Sequence, residues 1–207
     1  MGGADPRFRV VHDGGGGGRG GGWNAGARHV FPHTEYLAFL APDDVLLPRA
    51  YEDLIGLLDK SGADLATGNV YRLGAAGRSQ SAFHPAARET VLRTHVRRDP
   101  VLLGDHFVRN KVFRRAFWDR HGFVFPDGDG CDGAAVALPA HVLAEAVDVL
   151  HEHVCYWRLP SGRGGPGGRG RRRCGTGSRR WRGCGRCWPI RCTGWTPGCG
   201  RRTTGRS

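Results

Sequence analysis

The chain has 207 residues, enough for one or two domains, and its formal net charge is +12. That charge is confined to residues 159–207, which contain 13 Arg and no acidic residue, whereas the preceding residues hold 18 basic and 19 acidic side chains. No segment has the apolar length of a transmembrane helix, and residues 1–9 lack the apolar core of a signal peptide. We therefore expect a cytoplasmic protein whose folded part is nearly neutral.

The first part of the chain predicts four elements. They are a short strand at 7–12, a flexible glycine-rich loop at 14–22, a short helix at 24–31 and an apolar strand at 36–40. The glycine-rich loop has backbone N–H groups that could cradle a phosphate. It lacks the Lys-Ser/Thr pair of a P-loop, so we interpret it as a plain loop.

Strands and helices alternate through the rest of the chain up to residue 158. The clearest helix follows Pro48, carries an apolar stripe and ends before Gly62. The alternation predicts a layered α/β sheet flanked by helices. The further elements expected are a strand at 64–71, helices at 107–120 and 134–146, and short strands at 147–150 and 154–157.

Two adjacent carboxylates, Asp43 and Asp44, stand where the apolar strand at 36–40 ends. Ligand sites of open α/β sheets collect where such strands end. One interpretation is that these acids only cap the helix after Pro48. The other is a Mg²⁺ or Mn²⁺ site, because these cations are commonly held by one or two carboxylates together with substrate phosphates.

The segment Phe39-Leu40-Ala41-Pro42-Asp43-Asp44 resembles the acidic loop of family 2 glycosyltransferases, which usually reads Phe-Leu-Asp-x-Asp-Asp. Residues 5–12, 24–28, 110–117 and 121–126 resemble further stretches of the family in the same order, so the resemblance covers roughly residues 5–158. It implies a GT-A fold, a Rossmann-like nucleotide-diphospho-sugar transferase sheet. Members normally begin with a further strand-helix-strand unit, so we expect an incomplete amino end.

The resemblance also implies an activity, the transfer of a sugar from a nucleotide-diphosphate donor to an acceptor hydroxyl, usually with inversion. Asp43 is then the acid that binds a divalent Mg or Mn ion, and Asp44 is its partner. The family's first acid falls on Ala41, which predicts weakened donor binding or an inactive copy. Asn24 and Lys111 are the other expected donor contacts, although an exposed basic helix face would explain Lys111 equally well.

The acceptor hydroxyl must lose its proton, and a carboxylate serves as general base. The family's base belongs to a Glu-Asp pair, and an ungapped alignment places Asp132 and Gly133 at these two positions. Asp132 is therefore the predicted catalytic residue, and a solvated acidic loop is the alternative. We expect a glycan, a polyol-phosphate or a small-molecule acceptor, as in bacterial cell-envelope polysaccharide synthesis, with peripheral membrane association left open.

Residues 159–207 differ from the body in every respect. They hold 14 of the 35 Gly and 5 of the 7 Cys, with Ile190 as their only large aliphatic residue after Leu159. This composition predicts a disordered tail and is typical of GC-rich DNA read out of frame, so we interpret it as a shifted frame. The alternative is a nucleic-acid-binding protein acting through the arginine-glycine run at 163–173. No specific nucleic acid is expected for the glycosyltransferase.

Overall fold

The computed structural model describes residues 5–12, 17–74, 77–80, 87–127 and 133–158. Within these ranges the chain forms one mixed sheet with helices packed on both faces. The strands are β1 (Tyr36–Ala38), β2 (Val45–Leu46), β3 (Leu65–Gly74), β4 (Gly77–Gln80), β5 (Val91–Thr94), β6 (Lys111–Arg114) and β7 (Val147–Arg158). The helices are α1 (Gly18–Arg28), α2 (Ala50–Ser61), α3 (Arg115–His121) and α4 (Ala134–Leu143), with a 3₁₀ helix at Pro100–Gly104.

The strand order is β1-β6-β3-β7-β2, and β4 and β5 pair with β3 and β7 respectively. The pair β3–β7 is parallel, whereas the other pairs are antiparallel. Successive residues of a strand point to opposite faces of a sheet. Val112 accordingly packs with α2, and Phe113 packs with α3 and α4. The fold is thus the layered α/β arrangement that the sequence predicts.

Helix α2 confirms the best-supported sequence prediction. Leu54 and Leu58 are fully buried, one turn apart, on the stripe that faces the sheet. The helix ends at Gly62, which has a φ of 71°. Glycine reaches this left-handed conformation without the steric cost that a Cβ would add. In the described part of the chain, no helix combines the length and apolar character needed to cross a membrane.

The predicted helix at 107–120 is wrong in its first half. Residues 107–110 are irregular, Lys111–Arg114 form strand β6, and only Arg115–His121 are helical. The prediction took the four-residue spacing of Phe113 and Phe117 as a helical stripe. Both rings are buried in the same core cluster, but one reaches it from a strand and the other from a helix.

The amino-terminal predictions also need correction. Residues 7–12 form no strand and pair with none of the described strands. Helix α1 starts at Gly18, inside the run that predicted a loop, and ends at Arg28. Glycine is a poor helix former, so tertiary packing must stabilise this first turn. Buried Gly20 supplies that packing, because its backbone lies against Pro126.

Strand β7 is continuous where the sequence predicts two short strands. Its pairing with β3 changes register on both sides of Asn69, so that Gly68 is opposite Leu150 but Asn69 is opposite His153. Residues 151, 152 and 154 are therefore extra relative to β3, and together they form a bulge of three residues. The Asn69 side-chain amide donates a 2.6 Å hydrogen bond to the His151 carbonyl oxygen and fixes the bulge in place.

Gly20 and Gly26 provide a matched pair of alanine substitutions in α1. A Cβ at Gly20 would overlap the Pro126 carbonyl oxygen, whereas a Cβ at Gly26 has no neighbour within 4 Å. We expect Gly20→Ala to lower the free energy of unfolding by about 1–3 kcal/mol through overpacking. Gly26→Ala should raise it by about 0.5–1 kcal/mol, because alanine is the better helix former. Urea unfolding of both variants checks this, and equal effects would contradict the packing of α1.

Candidate functional site

The two acids after β1 lie in a tight turn. The Asp44 amide donates a 3.1 Å hydrogen bond to the Ala41 carbonyl oxygen, and Pro42 occupies the second position, where its fixed φ is favourable. Ala41 is buried, Asp43 is exposed and Asp44 is buried. We call residues 41–44 the acid turn. Its geometry sends one carboxylate to solvent and the other into the protein.

Asp44 forms a buried ion pair with Arg109. An Arg109 guanidinium nitrogen (Nη1) lies 2.6 Å from Asp44 Oδ2, and the two side chains are 2% and 0% exposed. Burial raises the pKa of Asp44 above its usual value, while the Arg109 charge opposes that rise. The buried carboxylate of Asp44 thus attaches the turn to the protein interior and is not presented to a ligand.

Arg109 belongs to the 105–110 segment, which precedes β6 and is fixed by a second buried ion pair. Lys111 Nζ lies 2.7 Å from Asp105 Oδ1 and donates a 2.6 Å hydrogen bond to the Phe107 carbonyl oxygen. Both charged side chains are at most 2% exposed. Burial lowers the pKa of Lys111, and the Asp105 charge opposes this shift.

Polar side chains from β3, from the segment itself and from α4 complete the network around Asp105. The Thr67 hydroxyl donates a 2.5 Å hydrogen bond to Asp105 Oδ2, and the Asn110 amide donates to Thr67 Oγ1 at 2.9 Å. The ring of His141, in α4, lies 3.6 Å from the same carboxylate. Burial lowers the pKa of this imidazole, which favours its neutral form. The segment is therefore attached to both the sheet and α4.

Gly133, the residue that directly follows the predicted base, also meets this segment. Asp132 lies outside the described residues, but its neighbour Gly133 is the N-cap of α4 and has a φ of 85°. A Cβ at Gly133 would lie 2.5 Å from Val108 Cγ1, so the chain passes very close to the segment at this point. The 105–110 segment consequently contacts the acid turn through Arg109 and the end of the predicted catalytic loop through Val108.

Asn24 and Trp23 connect α1 to the same region. The Asn24 amide donates to the Phe125 carbonyl oxygen at 2.8 Å and accepts from the Phe125 amide at 2.9 Å. The indole N–H of Trp23 donates to the Leu40 carbonyl oxygen at 3.3 Å, and its ring packs on Phe125. These contacts attach α1 to the residue before the acid turn and to the stretch before the predicted catalytic loop.

The predicted donor-site residues therefore occupy different environments. Asp43 is exposed, Asn24 is half-buried in backbone contacts, and Asp44 and Lys111 are buried in ion pairs. The alternative of an exposed basic helix face for Lys111 is wrong, because this lysine lies on a strand and is fully buried. The sequence analysis missed Arg109 and Asp105, and no local pattern marks either as an ion-pair partner. The arginine-rich residues 159–207 are outside the described residues.

The acid turn suits a metal held mainly by its substrate. Across the described ranges no three His, Cys, Asp or Glu side chains cluster closely enough to hold an ion by themselves. Asp43 offers one exposed carboxylate, and its neighbours in the turn, Ala41 and Asp44, are buried. Mg²⁺ commonly binds through one or two carboxylates and the phosphates of a nucleotide. A single protein carboxylate at this turn is compatible with that mode of binding.

Comparison with known protein families shows to which family this chain belongs. Residues 2–122, more than half of the sequence, match the profile of Glycosyl transferase family 2. The chain belongs to this family. A search among curated proteins found no match.

Solved structures of another protein show a similar fold. The S. aureus TarS 1–349 structure is 19% identical and superposes with a TM-score of 0.57, covering 69% of this chain and 41% of TarS 1–349. Its complex with UDP-GlcNAc gives a TM-score of 0.58 at 19% identity and covers 72% and 41% of the two chains. This family 2 chain thus has a GT-A fold and spans less than half the length of the TarS chains it matches.

Removal of the Arg109 charge tests the anchor of the acid turn. Arg109→Met leaves the Asp44 carboxylate buried without its cation, so we expect the free energy of unfolding to fall by about 3–5 kcal/mol. Arg49→Met is the matched control, because Arg49 is 72% exposed where it pairs with Asp53. Its loss should cost at most about 1 kcal/mol. Urea unfolding measures both changes. Similar losses of unfolding free energy in the two variants would show that the buried Arg109–Asp44 pair stabilises the protein no more than an exposed pair does.

The same variant has a predictable pH dependence. Without Arg109 the pKa of Asp44 in the folded protein rises further above its unfolded value of about 3.9. Between these two values the folded state binds a proton that the unfolded state releases, so folding stability increases as pH falls. The difference in the free energy of unfolding between the wild type and Arg109→Met should therefore become smaller as the pH is lowered from 7 to 5. A difference that is constant across this range would contradict the burial of Asp44.

Proposed function

We propose that this chain is the donor-binding part of a glycosyltransferase, which transfers a sugar from a nucleotide-diphosphate donor to an acceptor hydroxyl with inversion. The observation that carries the proposal is that the two carboxylates of the acid turn point in different directions, one into the protein and one to solvent. Arg109 holds Asp44 inside, so the adjacent Asp43 is presented to solvent at the end of β1. Membership of family 2 supports the same conclusion, as does the binding of UDP-GlcNAc by TarS.

Asp43 is the side chain that would hold the divalent ion. When bound, Mg²⁺ or Mn²⁺ neutralises the charge that develops on the leaving diphosphate. The chain itself contributes a carboxylate whose position is set by the β-turn and by the ion pair behind it. Ala41 contributes no oxygen where the family has its first acid, so we expect weaker donor binding than in a member that has both acids.

Asp132 is the proposed general base. It would accept the proton of the acceptor hydroxyl as that oxygen attacks the sugar. The contact between Gly133 and Val108 supports this role, because it brings the end of the loop to the segment that also anchors the acid turn. Inversion follows if attack occurs opposite the leaving diphosphate in a single displacement.

Donor binding provides the direct test. Titration of the chain with UDP should give heat in the presence of Mn²⁺ and little without it. Asp43→Ala should abolish the Mn²⁺-dependent part, since it removes the exposed carboxylate ligand. Glu52→Gln, a change in an exposed acid of α2, should bind UDP as the wild type does. Metal-independent binding, or equal binding by Asp43→Ala, would refute the role of Asp43.

The predicted base requires a separate measurement. Asp132→Asn should retain Mn²⁺-dependent UDP binding but lower the rate of sugar transfer by about 10²–10⁴-fold, the range typical of general-base catalysis. Transfer can be followed as UDP release from a UDP-sugar with a hydroxyl acceptor. Asp127→Asn is a suitable control, because Asp127 lies in the same acidic stretch. A rate loss in Asp127→Asn but not in Asp132→Asn would show that Asp132 is not the base.

A further inference from the structure

A pocket of about 250 Å³ is lined by residues of β3, the start of β7, the 3₁₀ helix and the 105–110 segment. Its wall is largely apolar, and the buried Asp105 is among its lining residues. The donor-binding proposal assigns no role to this pocket. The side chains that matter for its chemistry are those of Asp105, Arg88, Glu89, Asp99, Val101 and Leu102.

The 105–110 segment connects this pocket to the acid turn and to Gly133. Asp105 lines the pocket, Val108 touches Gly133 and Arg109 holds the acid turn. An extended chain spans at most about 3.6 Å per residue. The Cα atom of Asp105 is therefore within about 11 Å of that of Val108 and about 14 Å of that of Arg109. The pocket, the anchor of the acid turn and the contact to Gly133 are thus all attached to this one short segment.

Charge in the pocket argues against an anionic ligand. Lys111 neutralises Asp105 at the floor through their 2.7 Å contact. The remaining charged lining residues are Arg88, Glu89 and Asp99, which leaves one net negative charge. Phosphate is usually held by several Arg, Lys or backbone N–H donors. A single arginine opposed by two carboxylates does not provide such a site, whereas carboxylates accept hydrogen bonds from hydroxyl or ammonium groups.

The volume of the pocket limits the size of its ligand. Sites for drug-sized ligands typically enclose about 300–1,000 Å³. At about 250 Å³ this pocket holds one small unit and not a stretch of polymer. Apolar surface with a few polar groups is also the usual composition of a small-molecule site. Val101 and Leu102 supply such surface here.

We propose that this pocket binds the acceptor, as a neutral or amine-bearing monosaccharide unit and not as a polyol phosphate. This inference rests on the proposed function, because an acceptor pocket has a role only beside a working donor site. It narrows the acceptor from any hydroxyl-bearing molecule to a saccharide without an anionic group at the unit that enters the pocket.

Ligand-observed NMR with the full chain tests the inference. Glucosamine, glucose and glucose 6-phosphate serve as millimolar probes. We expect glucosamine and glucose to bind, with glucose 6-phosphate at least tenfold weaker. Val101→Trp should reduce binding of both at least tenfold, because it fills the mouth of the pocket. Leu103→Trp is the matched control, since Leu103 is a 48% exposed residue of the same 3₁₀ helix that does not line the pocket.

Charge-neutral variants supply a second readout. Glu89→Gln combined with Asp99→Asn should weaken glucosamine binding several-fold and leave glucose binding within about twofold. Asp99→Asn keeps the side-chain oxygen that accepts a hydrogen bond from the Val101 amide, so the 3₁₀ helix retains its cap. Equal losses for the two sugars would overturn the electrostatic part of the inference.

The two proposals fail in different ways. If none of the probes binds, if glucose 6-phosphate binds as tightly as glucosamine, or if Val101→Trp binds like the wild type, the pocket inference is overturned whatever UDP does. If the sugars bind as expected but UDP does not bind with Mn²⁺, the donor-site proposal fails, and the pocket loses its acceptor role. Saccharide binding together with Mn²⁺-dependent UDP binding supports both.

Discussion

The burial of charge around the 105–110 segment is the constraint on which the rest of the site depends. Two cations, Arg109 and Lys111, are removed from water, and each faces one buried carboxylate. An ion in a protein interior is costly unless it is paired and hydrogen-bonded. Only a backbone path that satisfies both pairs together is therefore accessible. That path fixes the acid turn from the core, so the direction of Asp43 does not depend on a surface loop.

Parts of this design could be predicted from the sequence because their signals are local. Helix α2 has a proline before it, an apolar stripe and a terminal glycine, and each acts within a few residues. The position of the acids at the end of an apolar strand is equally local, and with the other motifs it was enough to indicate the family.

The remaining features depend on partners far away in the chain. Asp44 and Arg109 are 65 positions apart, and Asn24 meets Phe125 across 101 positions. No pattern near either residue indicates such a pairing. The same reason explains the error at 107–120, since a strand in the middle of a sheet is buried on both faces and shows no alternation. The glycine-rich start of α1 is helical because Pro126 lies against it, which helix propensity alone would not predict.

The bulge in β7 changes which face of the sheet the odd-numbered residues of this strand occupy. Before the bulge, odd-numbered Val147 and Val149 belong to the core shared with α3 and α4. After it, odd-numbered Cys155 belongs to the core shared with α2, because the pairing with β3 has slipped by three positions. Since a slip of one residue moves a strand's side chains to the opposite face, the bulge has an odd length for a reason. Deletion of a single bulge residue would exchange inside and outside for every position that follows.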